Sequence, residues 1–104
     1  MAQFDVFVNP VLGARRAYPF VVALQSDFAQ NERDHIVAPL VPVGSMPMVV
    51  SRLTPIVALN GSEHMVLVPA LTGMRFRDLM KRHASLASAR SQLLGAVDYL
   101  FFGV

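Results

Sequence analysis

From Gln3 to Asn9, Phe4, Val6 and Val8 alternate with Asp5, Phe7 and Asn9, a period of two that predicts a strand with one well-buried face. Pro10 to Arg16 then brings a proline, a glycine and two adjacent arginines, the turn chemistry of an exposed loop. Tyr18 to Gln25 is a β-branched and aromatic run long enough for a central strand, and Pro19 sits near its start, where a missing N–H does least harm. The stretch from Ser26 to Asp34 is polar apart from Phe28 and Ala29, so it reads as a connecting loop with Phe28 as an exposed aromatic. His35 to Val41 is a further short strand, and Pro42 to Pro47 breaks any regular element. Ile56–Leu59 and His64–Val68 read as two strands joined across Asn60-Gly61-Ser62-Glu63, with Asn-Gly as the hairpin signal. Five or so short antiparallel strands predict a small barrel or bent sheet.

Past Gly73 the pattern changes. Leu86, Ala89, Leu93, Val97 and Leu100 recur at intervals of three or four, the period of an amphipathic helix, with Ser85 or Ser88 available to cap its start. Gly95 in its interior costs about 1 kcal/mol relative to alanine, which close approach of a second backbone, across a dimer axis for instance, would explain. No repeat, linker or low-complexity tract divides the chain, so residues 1–104 are expected to form a single α+β domain: strands, then one terminal helix.

Composition adds a surplus to hide. Apolar residues make up 54% of the 104 residues and charged ones 15%, against roughly 45–50% and about 25% in an average soluble domain. So small a chain leaves much of its surface in water, and a homodimer interface is the expected home for the excess. No apolar run approaches the roughly 18–20 residues that span a bilayer, and the first residues lack the pattern of a secretory signal, so a cytoplasmic protein without a membrane role is expected. Cysteine is absent, which excludes disulfides, thiolate metal sites and a cysteine nucleophile.

The net charge of +2 is too modest to mark a nucleic-acid binder, but Arg75, Arg77, Lys81, Arg82 and Arg90 crowd one stretch against the single Asp78. That stretch is either a solvated face or a contact for phosphates or an acidic partner. His35, His64 and His83 have no metal-ligand spacing and are expected at strand edges or the surface. No phosphate-binding glycine loop or nucleophile elbow is present, and neither a cofactor nor a metal is expected. The unusual feature is the terminus, where Tyr99, Leu100, Phe101 and Phe102 precede Gly103 and Val104. Four bulky apolar side chains in succession on a helix cannot all face one core. Either some complete a dimer interface, or an exposed aromatic anchors a partner.

Taken together, Gln3-Phe4-Asp5-Val6, Phe20 to Asp27, Val37-Ala38-Pro39-Leu40, Ser51-Arg52-Leu53 leading into Pro55 to Leu59, and Leu100-Phe101-Phe102-Gly103-Val104 resemble, in order, the successive segments of the CcdB family of toxin–antitoxin toxins. The resemblance implies a mostly β, SH3-like barrel, a five-stranded antiparallel sheet with an added small sheet and a C-terminal α-helix. It implies a homodimer with no enzymatic activity, which binds the A subunit of DNA gyrase and traps the cleaved gyrase–DNA complex. A CcdA-like antitoxin would neutralise it and join it in repressing their operon, with DNA met only through gyrase or the antitoxin complex. By position, the gyrase-contacting tail falls on Phe102, Gly103 and Val104, with Asp98 one helical turn earlier and the Phe28-Ala29 pair bordering the surface. Leu100 and Phe101 are assigned to the packed helix face. The best-known member has tryptophan where this chain has Phe102, a smaller ring with a weaker face. Arg15 and Arg16 are candidates to meet an acidic antitoxin segment. Two alternatives stand beside this reading: an endoribonuclease on the same barrel, using Arg75, Arg77 and His64, and a non-toxic homologue that absorbs antitoxin.

Overall fold

The computed structural model describes residues 2–29, 33–45 and 51–103, with Phe28 described by its backbone. The strands are β1 (Asp5–Val8), β2 (Phe20–Ala23), β3 (Asp34–Pro42), β4 (Ile56–Leu59), β5 (Ser62–Val66), β6 (Thr72–Arg75) and β7 (Arg82–Ser85), followed by helix α1 (Arg90–Phe102). All pair antiparallel in the order β4-β5-β3-β2-β1-β7, and β6 pairs with the first half of β3, beside the stretch that pairs with β5. β2 is central, as its β-branched run predicts.

β3 is nine residues long and carries Pro39 in its interior, a position that central strands avoid. Pro39 faces Val21 of β2 in register, and its carbonyl turns to the other side to accept from the Leu67 N–H at 2.9 Å. The two backbone groups of a strand residue point the same way, so the missing N–H falls between the last β6 partner at Val37 and the first β5 partner at Leu40. No ladder bond is lost there. The Asn-Gly hairpin forms where expected: Asn60 and Gly61 both have positive φ, 56° and 76°, the paired left-handed geometry whose twist matches the flanking strands.

The sheet curls. Asn60, at the β4–β5 turn, hydrogen-bonds the His83 ring on β7, although these strands stand at opposite ends of the order. The Phe20 ring of central β2 reaches both His83, at 4.6 Å, and His64 of β5, at 6.1 Å. Inside the curl Val6, Val22, Leu40, Val57 and Val66 pack against Leu86, Leu93 and Ala96, so α1 closes the half-barrel. Phe7, Val21, Ala23 and Val37 point the other way and are covered by Leu79. β1 is therefore buried on both faces, not one, because residues 76–81 cross its second face.

Two further sequence expectations differ from the structure. Five or so strands become seven among the described residues, because β6 and β7 are four-residue edge strands, mostly exposed, whose Thr, Arg and His hide any apolar alternation. The helix begins at Arg90 with no side-chain cap, and the preceding 3-10 turn, Ala87–Ala89, whose N-cap is Leu86, has none either; Ser85 Oγ accepts from Ala87 N. No helix among the described residues is long and apolar enough to cross a membrane.

Candidate functional site

Helix geometry decides what the terminus presents. Leu93 is fully buried, and Ala96 with half-buried Val97 and Leu100 continues its stripe against the sheet. Phe102 follows Leu93 by nine residues, which at about 100° per residue turns it about 180° from the core. Phe102 is 75% exposed. Asp98, also exposed, and Gly95 fall on the same outward side. A Cβ at Gly95 would meet nothing within 4 Å, so within this chain no close backbone approach explains that glycine.

Gly103 ends the helix with φ 73°, in the left-handed region where a side chain is disfavoured, and its N–H bonds the Tyr99 carbonyl at 3.0 Å. Val104 lies outside the described residues. Phe101 departs from expectation: assigned to the packed face, it is 62% exposed. Eight residues from Leu93 is about 80° off the core direction. Phe101 instead walls an apolar pocket of about 290 Å³ with Phe4, Leu24, Ile36, Leu94 and Val97.

Phe28 and Ala29 lie in a 3-10 turn, Asp27–Ala29, held by Ser26 through its carbonyl and hydroxyl, both accepting from Ala29 N. The exposure assigned to the Phe28 side chain falls outside what is described. Gln25, which also lines the pocket beside Phe101, donates its side-chain amide to the Ala29 carbonyl. Gln25 thus ties the turn to the pocket that Phe101 walls, while neither Asp27 nor Ala29 lines it.

Of the two loop arginines, Arg16 is exposed, whereas Arg15 is half-buried and donates from Nε to the Asn9 carbonyl. Arg15 is carried into a cleft of about 640 Å³ together with Arg75, Arg77 and Lys81. The basic stretch was legible in the sequence, but its convergence with Arg15 was not, since some sixty residues separate them.

Two of the three histidines correct their assignment to edges and surface, while His83, exposed on the edge strand β7, fits it. His35 is 1% exposed, against the Phe76 ring at 5.2 Å, and among the described residues neither ring nitrogen has a hydrogen-bond partner. His64 is also buried, its Nδ1 3.3 Å from the Ser62 carbonyl; only His83 is exposed. Among the described residues no three His, Asp or Glu side chains gather as a metal site would need. Nor do the endoribonuclease candidates converge: His64 pairs with Pro42 and Arg75 with Asp34, at opposite ends of β3. Eight residues of strand separate those positions, on the order of 25 Å.

These features define an α+β protein, mostly β, whose curled antiparallel sheet is closed by a C-terminal helix ending in exposed aromatic side chains. The family model described as CcdB protein matches residues 3–103, and the chain belongs to the CcdB family. That is a family of toxins from toxin–antitoxin pairs and not one of catalytic enzymes. A search of the curated proteins finds no match.

Proposed function

We propose that this protein is a gyrase poison, a single CcdB-like domain on an SH3-like barrel that works in the cytoplasm as a homodimer and without a cofactor. It binds the A subunit of DNA gyrase through Phe102, Gly103, Val104 and Asp98, with Phe28 and Ala29 at the border. By holding gyrase on its cleaved DNA it turns an essential topoisomerase into a source of breaks. A CcdA-like antitoxin neutralises it, in part through Arg15 and Arg16, and toxin and antitoxin together repress their own operon.

The observation that carries the reading is Phe102: in a CcdB-family chain, a large aromatic residue stands 75% exposed, opposite the helix face that packs, with Asp98 on its side. An exposed aromatic next to a carboxylate suits an arginine-bearing partner, since a guanidinium stacked on the ring contributes roughly 0.5–2 kcal/mol. Purified gyrase with supercoiled DNA tests the reading. Linear DNA should accumulate once the protein is denatured, and unaffected supercoiling at saturating toxin would sink it.

A further inference from the structure

β6 pairs with β3 and, among the described residues, with no other strand. The Phe76 N–H bonds the Arg33 carbonyl at 2.8 Å, which sets the alternation behind it. Thr72 and Met74 turn their backbone groups toward β3, and Gly73 and Arg75 turn theirs outward. Gly73, Met74 and Arg75 all line the 640 Å³ cleft. Strand side chains alternate between faces, so three consecutive residues can line one cleft only through the backbone edge.

The cleft is the middle of a longer trough. Toward Thr72 it meets an apolar pocket of about 170 Å³, sharing Val11 and Met74 with it. Toward Arg77 it meets a space of about 340 Å³, sharing Arg75 and Arg77. The wall thus passes from apolar to mainly basic along one strand edge, with Asp34 beside Arg33, Arg75 and Arg77 at the basic end. Its middle sets Arg15, Arg75, Arg77 and Lys81 against the single carboxylate Asp78.

We propose that this edge is the docking site of an extended acidic segment of a partner protein. The segment adds as a strand beside Gly73 and Arg75, sets an apolar side chain against Val11 and Met74, and places carboxylates among the four cations. A nucleic-acid backbone fits less well, having no amide to pair with Gly73 and nothing apolar for Val11. Arg15 also belongs to the proposed antitoxin contact, so the inference rests on that half of the proposed function and deepens it. The probe is a designed peptide, so failure of the groove and failure of the antitoxin contact are read separately.

The experiment is fluorescence anisotropy of a labelled synthetic peptide alternating valine and glutamate, titrated with the full chain. Binding should weaken as salt rises, and a valine–lysine peptide should not bind. Arg77→Glu should weaken binding at least about tenfold. Gly73→Pro, which deletes an outward N–H at unchanged charge, should weaken it at least about fivefold. Gly73→Ala keeps the N–H, and its Cβ would meet nothing within 4 Å, so it should bind like the parent. Should Gly73→Pro not fold, Lys81→Glu, at an exposed position, takes its place with the same loss as Arg77→Glu. Equal affinity for a single-stranded oligonucleotide, self-association that Gly73→Pro abolishes, or peptide binding indifferent to these variants would each overturn the proposal.

Discussion

The Arg52 guanidinium lies 4.2 Å from the centre of the Tyr99 ring, joining the segment before β4 to the last turn of α1. The Tyr99 carbonyl accepts from Gly103 N–H, so one residue is held by its ring from the sheet side and by its backbone from the tail. Together these fix where the helix stops and hence where Phe102 stands. Arg52→Ala should cost about 0.5–1 kcal/mol, the range of a partly solvated cation–π contact. For a domain of this size that is a fall of a few degrees in Tm by calorimetry. An unchanged Tm would show that the stack contributes nothing.

Phe102 and Leu93 separate recognition from packing on one helix. Leu93→Ala removes a fully buried side chain and should cost about 2–5 kcal/mol in urea denaturation. Phe102→Ala removes an exposed ring and should change stability by less than about 0.5 kcal/mol, while abolishing DNA linearisation by gyrase. If activity and stability fell together in Phe102→Ala, the ring would be a packing residue and the proposed contact surface would be wrong.

The elements visible in the sequence are those where one physical cause dominates. Asn60-Gly61 announces its turn because only left-handed geometry suits it, and the helix is visible because Leu93, Val97 and Leu100 share a face. β6 was hidden because its apolar members are few: Gly73 and Arg75 are edge positions, and only Met74 turns inward to the second core. Phe101 was misassigned because apolar character alone does not say which way a side chain points; its offset from Leu93 does. The trough was illegible for another reason, since Arg15 and Arg75 come to one cleft only in the folded chain, with β6 laid along β3.

His35 is a buried imidazole with no hydrogen-bond partner among the described residues. Leaving a buried polar group unsatisfied costs about 1–3 kcal/mol, so removing it should be favourable where the shape is kept. His35→Leu should therefore stabilise the protein by about 1 kcal/mol, read as a higher urea midpoint with an unchanged slope. A loss of stability instead would mean that the ring is satisfied in solution or that its contact with Phe76 outweighs the penalty.

Asp5 offers a test of how β7 is held. Its carboxylate is buried, with Oδ1 3.2 Å from Arg82 Nε and Oδ2 accepting from Ala2 N–H at 3.0 Å. The Arg82 side chain is largely exposed, so solvent screens the pair and its worth is well below that of a fully buried one. Arg82→Ala leaves a buried carboxylate without its cation and should cost about 1 kcal/mol. Asp5→Asn keeps the shape and needs no cation, so adding Arg82→Ala to it should cost much less than that. The double-mutant cycle isolates the ionic part as a coupling of about 0.5–1 kcal/mol. β7 leads through a short turn into α1, so Arg82→Ala should also raise amide exchange in the first helical turn. Strict additivity with no change in exchange would show that the ladder between β1 and β7 holds the strand without the ion pair.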